Sequence, residues 1–276
     1  MHIVVCIKQV PDSAQIRIHP VTNTIMRQGV PAIINPFDLF SLEEALRIKD
    51  RTGARVTVLT MGPPMAEASL RKALAFGADA AVLLTDRKFA GSDTLATSYA
   101  LTAAIRKLHA EQPVDLVFCG KQTVDGDTAQ VGPGIATRLG LQQLTYISKI
   151  ESVDPEARSI TVHRRSEGGV QVLKTALPCM ITMLEGTNTM RFGTMDDLFR
   201  AARTPLTQWG KDACVEDESK VGLKGSPTVV SKVFVPKPRA QKARLVEGDS
   251  PEALAAAAAE TVFAAQPKLA AELLAR

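Results

Sequence analysis

The stretch Asp115-Leu-Val-Phe-Cys-Gly-Lys-Gln-Thr-Val-Asp-Gly-Asp-Thr-Ala-Gln-Val-Gly-Pro133 decides how this chain is read. Its first five residues form an apolar run of the length of a buried strand, closed by Gly120. Residues 128–139 have the pattern of a helix, with Asp127 as N-cap and Gln130 three residues later, the spacing of a capping box. Strand, glycine-containing loop and helix start together make a cradle for a phosphorylated ligand. The first amides of a helix lack internal partners, and the helix dipole leaves partial positive charge there. Gly126, between two aspartates, suits a positive φ or close approach by a ligand. Amides around 127–130 can donate to phosphate, and Thr128 and Gln130 add side-chain hydrogen bonds. Asp125 and Asp127 repel phosphate and suit a cap and an acceptor for ribose hydroxyls or an adenine amine. A capped turn with no ligand accounts for the same pattern.

Working outward, strand and helix patterns alternate. Residues 2–7 are a short β-branched run. Asp38 reads as the cap of a helix to about residue 52, ended by Gly53, and residues 55–60 as a strand. A helix over 66–76 is closed by Gly77, a strand follows over 80–84, and a helix over 93–112 is capped by Ser92 or Asp93 and stopped before Pro113. This alternation predicts an α/β fold, a mostly parallel sheet with helices on both faces. Ligands of such sheets bind at the carboxyl ends of the strands. The loops after Ile7, Thr60 (Met61-Gly-Pro-Pro64) and Cys119 converge there. Beyond Leu144 the pattern changes. Residues 159–164, 170–175 and 179–184 alternate or run apolar, with Gly168-Gly169 as a hairpin signal, so they predict an antiparallel extension.

Residues 1–185 are accordingly expected to form the α/β nucleotide-binding domain. Residues 186–245 are expected as an extended arm embracing a partner, and 246–276 as an Ala-rich helical tail. Within the arm, 196–203 reads as a short helix. The Pro-interrupted stretch 226–240 carries Lys232, Lys237 and Arg239, followed by Lys242 and Arg244, without an acid. So long a segment without core patterning needs a surface to lie on, or else is a solvated tail. Ser250-Pro-Glu starts the Ala-rich helix, which Pro267 should kink or restart.

Composition narrows the function classes. A net charge of +4 is too weak and dispersed for a nucleic-acid stripe, and 4% aromatics leave few stacking platforms. No apolar run approaches the roughly 20 residues of a membrane span, and the apolar N-terminal run is too short for a signal segment, so a cytoplasmic location is expected. Cys6, Cys119, Cys179 and Cys214 are far apart with no C-x-x-C pair, and read as reduced thiols rather than metal ligands or disulfides. Nucleophile-elbow, zinc-protease and Walker templates are missing, as is G-x-G-x-x-G. His2, His19, His109 and His163 are scattered, so no catalytic residue and no metal site are assigned. Asn35-Pro-Phe-Asp38 reads as a turn and helix start, yet Asn35 is held extended by the following proline and can aim its amide at a base edge.

Four ordered motifs carry a resemblance: Val5-Cys-Ile-Lys-Gln-Val-Pro-Asp12, Asn35-Pro-Phe-Asp38 with Glu43-Glu44-Ala-Leu-Arg-Ile-Lys49, Ala73-Leu-Ala-Phe-Gly-Ala-Asp79, and residues 120–133. Together they resemble the β subunit of electron-transfer flavoproteins over about residues 2–235. The resemblance implies an adenine nucleotide alpha-hydrolase-like domain whose arm embraces an α subunit carrying FAD. It also implies a second nucleotide here: AMP in the housekeeping branch, or FAD in the electron-bifurcating branch, with NADH as electron source. Carried over by motif, the contacts are Cys6 (backbone), Asn35, Asp38, Met61, Gly120, Lys121, Gln122, Thr123, Val124, Asp125, Gly126, Asp127, Thr128, Ala129, Gln130 and Val131. Asp-Gly-Asp at 125–127 is similar to the bifurcating type, where housekeeping members carry consecutive acids, and Gly222-Leu-Lys-Gly-Ser-Pro-Thr228 resembles the arm of that branch. FAD is therefore expected, with AMP as the alternative. The loop that docks acyl-CoA dehydrogenase-type partners usually reads Asn-Glu-Pro-Arg-Tyr. Here it reads Asn188-Thr-Met190-Arg191-Phe192, which puts the usual dehydrogenase in doubt while keeping a cation and a ring for some redox partner. A universal-stress-type regulatory protein is a further alternative, although it has no use for the long arm.

Overall fold

His2–Cys6 (β1) lies at the centre of the sheet, and all five of its residues are buried. Its side chains alternate between two cores. Ile3 and Val5 enter one, and Val4 and Cys6 enter the other, as the period of two requires for a strand covered on both faces. In this computed structural model the described residues are 1–12, 17–18, 25–26, 31–231, 245–268 and 271. The chain divides into two compact units, Met1–Val233 and Phe234–Arg276. The described residues 186–231 of the expected arm fall within the first unit. Residues 232–244, including Lys232, Lys237, Arg239, Lys242 and Arg244, lie outside the described residues.

In chain order the first unit runs Gln9–Pro11 (β2), Arg17–Ile18 (β3), Ile25–Met26 (β4), Ala32–Ile34 (β5), Pro36–Thr52 (α1), Arg55–Met61 (β6) and Glu67–Phe76 (α2). Then come Ala80–Leu84 (β7), Thr94–Glu111 (α3), Leu116–Gly120 (β8), Val131–Leu139 (α4), Gln142–Asp154 (β9), Ser159–Ser166 (β10) and Gly169–Ala176 (β11). Cys179–Met183 (β12), Met195–Arg203 (α5) and Thr207–Trp209 (β13) complete it. The second unit holds Pro251–Ala265 (α6), capped by Ser250.

The described residues form a nine-stranded sheet in the order β11-β10-β9-β12-β8-β1-β6-β7-β13. Two-stranded antiparallel pairs β2-β5 and β3-β4 stand beside it. Strands from β9 through β12, β8, β1, β6 and β7 to β13 pair in parallel, and β10 and β11 add antiparallel strands beyond β9. The expected α/β class and antiparallel extension are observed. One strand is corrected: Cys179–Met183 is not antiparallel but parallel, inserted between β8 and β9 with all five residues buried. Leu42, Leu46, Leu70 and Leu74 of α1 and α2 cover one face, and Leu101, Ile105, Ile135 and Ala136 of α3 and α4 cover the other.

From β1 the chain proceeds to β6 and β7 on one side, then crosses through α3 to β8 on the other. The carboxyl ends of β1 and β8 therefore flank a topological switch point, the place at which open α/β sheets bind their ligands as a class. Two local expectations fail here. The helix expected from residue 128 begins at Val131, and Gln130, its N-cap, makes no side-chain capping bond. Asp127 (φ 58°) and Ala129 (φ 55°) are left-handed, so no helical turn and no capping box can include them. Asp38 caps nothing either: α1 begins at Pro36, with Asn35 at the N-cap position.

Candidate functional site

The 121–130 loop leaves β8 at the switch point and is fastened at three places. Asn35 is fully buried; its Nδ2 donates to the Gln122 carbonyl at 2.8 Å and its Oδ1 accepts from Val124 N at 3.1 Å. Its amide, expected to meet a base edge, is buried and holds the loop, with each end bonded to backbone and a further hydrogen bond to Asp38. Lys8 Nζ donates to both carboxylate oxygens of Asp125 at 2.8 Å, which ties the chain beyond β1 to the loop. At the far end, Thr94 Oγ1 donates to Gln130 Oε1 at 2.8 Å, joining the loop to the start of α3. Within the loop, Gln122 Nε2 donates to Asp127, and the Thr123 carbonyl accepts from the amides of Gly126 and Asp127.

Beneath the loop lies a buried polar group. Asp38 Oδ2 accepts from Lys8 N at 2.7 Å and Oδ1 from Gly120 N at 3.2 Å, so its carboxylate bridges the chain leaving β1 and the end of β8. Burial pushes its carboxyl up to about 7, against the donors on Asn35, Lys8 and Gly120 that pull it down. Gly120 is required by this close approach: a Cβ there would overlap the Asp38 carboxylate and the backbone of Phe37 and Asp38. Cys6 and Cys119, on neighbouring strands, are buried free thiols. The hydrogen bond from Cys6 and burial push Cys119 well above the ordinary thiol range, so it is inert as a nucleophile.

The amides of Thr128, Ala129, Gln130, Val131 and Gly132 have no acceptor among the described residues. Residues 125–128 are exposed. Five successive donors at a helix start, on a backbone that alternates hand at Asp127 and Ala129, form the kind of concavity that holds anions. Gly126 takes no positive φ; the left-handed positions fall on Asp127 and Ala129 instead. Above Gly126 the nearest obstacle to a Cβ is Thr123 Oγ1 at 3.2 Å. Met61 ends β6 half-buried, and Lys121 lies 5.2 Å over the Phe37 ring and pairs with Glu185. The structure thus gathers most of the sequence-derived contact residues into one place. Within it, Asn35 and Asp38 serve the loop itself. Lys8 and Thr94 were missed, because an ion pair and a hydroxyl bond across 117 and 36 residues leave no local signal.

Of the expected docking residues, three are engaged within the chain. Asn188 donates to the Phe40 carbonyl, Arg191 forms ion pairs with Glu43 and Asp50, and Met190 packs on the core. Phe192 is 94% exposed. Beside it α5 exposes Met195, Leu198 and Phe199, at the i, i+3, i+4 spacing of one helix face. That helix is clamped to α2: Arg200 donates to the Leu74 and Ala78 carbonyls, and Arg71 to those of Ala201 and Thr204.

A cavity of about 430 Å³ lies at the opposite, amino ends of the strands, lined by His2, Thr57 and Trp209. His2 bonds Thr57 Oγ1 and the Gln112 carbonyl, so its polar groups satisfy one another. Among the described residues no three acidic, histidine or cysteine side chains gather as metal ligands, and no helix is long and apolar enough to cross a membrane.

The fold and its clasped loop define an α/β protein whose parallel sheet carries a loop with open amides at its switch point. Residues 22–212 match the family model described as the electron transfer flavoprotein domain. The chain is 66% identical to a protein named FixA from Azotobacter vinelandii, across 100% of this chain and 99% of that one. It is also 66% identical to a protein of the same name from Bradyrhizobium diazoefficiens, across 99% and 95%. A protein named electron transfer flavoprotein subunit beta, from Clostridium acetobutylicum, is 49% identical over 84% of this chain and 87% of its own length. The chain belongs to the electron-transfer flavoprotein family, as a β-type subunit in electron transfer.

Proposed function

We propose that this subunit pairs with an α subunit, binds FAD at the β1–β8 cleft, and passes electrons from NADH or a dehydrogenase toward an FAD held by the α subunit, in flavin-based electron bifurcation. The observation that carries this reading is the row of unpaired amides at Thr128–Gly132 on a loop braced by Asn35, Lys8 and Thr94. These donors and the α4 dipole suit a diphosphate, and the bare Gly126 leaves space for a ring system. FAD bound there supplies one- and two-electron redox chemistry. The chain's own part is to bind and orient. Its Asn35 and Asp38 are used for position, and burial pushes the Cys119 and Cys179 thiols up, so no side chain is assigned as acid, base or nucleophile.

The exposed Phe192–Phe199 face suits docking of a redox partner, acyl-CoA dehydrogenase-type or other, since exposed aromatic side chains make interface anchors. The segment 186–245 is read as the arm that embraces the α subunit. The reduced thiols accord with the cytoplasm. Counting flavin and adenine nucleotide on the purified αβ complex tests the proposal. Two FAD per pair are expected; one FAD with one AMP overturns the FAD assignment and leaves a β subunit with a structural nucleotide.

A further inference from the structure

We infer that Asp38 is a positioning residue: it clasps the two strand ends that flank the cleft and holds the 121–130 loop in its nucleotide-accepting shape. The inference rests on the reading of that loop as the nucleotide site. Asp38 is 4% exposed, and both carboxylate oxygens are taken by backbone amides, one on each side of the switch point. It therefore does not touch the ligand. Its bond to Lys8 N fixes the residue whose ammonium holds Asp125, and its bond to Gly120 N fixes the root of the loop. The root of the loop and, through Lys8, its middle are thus set by one side chain. Gly120 admits it only because it has no Cβ.

The clasp depends on charge. A carboxylate accepts at both oxygens, whereas a carboxylic acid puts an O–H where one N–H now donates. Loss of the proton is therefore the step that closes it. The titratable or charged groups around Asp38 are Lys8 from the chain after β1, Cys119 at the end of β8, and Cys6 behind Cys119. Asp125 lies beyond Lys8, and Lys121 is neutralised by Glu185. Cys119 is pushed well above the ordinary thiol range, so Lys8 is the nearest full charge, and its own pairing with Asp125 limits what it gives Asp38. The carboxyl titrates near about 7, so the clasp is half closed there and closes as pH rises. Stability runs the other way. With the folded value raised above the ordinary 3.8, the contribution of Asp38 is present below 3.8 and lost as pH rises through about 7.

The test follows the ¹⁵N amide shifts of Lys8 and Gly120 in the full chain against pH, and FAD and AMP affinity of the αβ complex on the same samples. Both amides are expected to titrate together with a midpoint near about 7, and to lose that titration in Asp38→Asn. If only the ionised form accepts nucleotide, affinity falls about tenfold from about pH 8 to about pH 6, and Asp38→Asn binds weakly at every pH. Asp125→Asn, which keeps Asp38, should retain the pH dependence with a lower affinity throughout. Amides that do not titrate together, or an affinity in Asp38→Asn with the pH profile of the unaltered chain, overturns the clasp. Titrating amides with no nucleotide bound at any pH overturn the reading of the loop instead, and with it the positioning role.

Discussion

Helices α3 and α4 lie side by side on one face of the sheet, yet their amino ends are built in opposite ways. At α3, Asp93 Oδ1 accepts from Leu95 N and Ala96 N, and its other oxygen accepts from Thr228 N and Oγ1. That helix start is closed, and the carboxylate that closes it also pins Thr228, while the Asp93 backbone N–H donates to Ser226 Oγ. At α4, Gln130 caps nothing, its side chain is drawn to Thr94, and the amides from Thr128 to Gly132 stay open. A cap is worth about 1 kcal/mol. The chain forgoes it at α4 alone of this pair, at the carboxyl ends of the strands. The end left open is the one at the switch point, where a ligand's anion can supply the missing acceptor.

The largest expected effect comes from the floor of the open site. Gly120→Ala should cost about 2–3 kcal/mol in chemical denaturation, since the added methyl meets backbone that cannot retreat. Next is Gly126→Asp, which places a carboxylate over the open amides while meeting only the Thr123 hydroxyl. Nucleotide affinity should fall more than about tenfold with stability changed by less than about 0.5 kcal/mol. Full occupancy in that variant would refute the crowding argument. Asp93→Ala acts at the closed end: it should lose about 1–2 kcal/mol of stability and loosen the chain at Thr228 to proteolysis, with the nucleotide site intact. The smallest effect is also the sharpest comparison. Gln130→Asp gives α4 the cap that α3 has, so stability should rise by about 0.5 kcal/mol while nucleotide affinity falls. A gain in both would mean that the open end serves no anion.

Much of the fold was legible because α1, α2, α3, β1, β6, β7 and β8 satisfy their patterns locally. Strand β9 was not. Its buried residues Leu144, Ile147 and Ile150 are spaced by three, because register shifts against β10 and β12 and the left-handed Tyr146 break the period of two. The parallel course of β12 was hidden for another reason: an apolar run of five carries no direction, and its place between β8 and β9 follows from pairing alone. The described residues of the 186–245 segment show little local pattern because their buried side chains pack on other elements. Trp209 joins the sheet edge beside Leu84, and Val221 is buried against the α3 side of the core.

At the site, the sequence by itself determined the strand, the glycine at its end, the loop and the residue types that suit a nucleotide. These follow from local spacing and from the four motifs shared with the family. Only the tertiary structure decided the use of each residue. Asn35 and Asp38 turned inward to hold backbone, Lys8 and Thr94 reached the loop from other elements, and α4 began three residues late with its amides unclaimed. The physical reason is that a hydrogen bond depends on distance in space, and the partners of this loop come from strands and helices far from it in sequence.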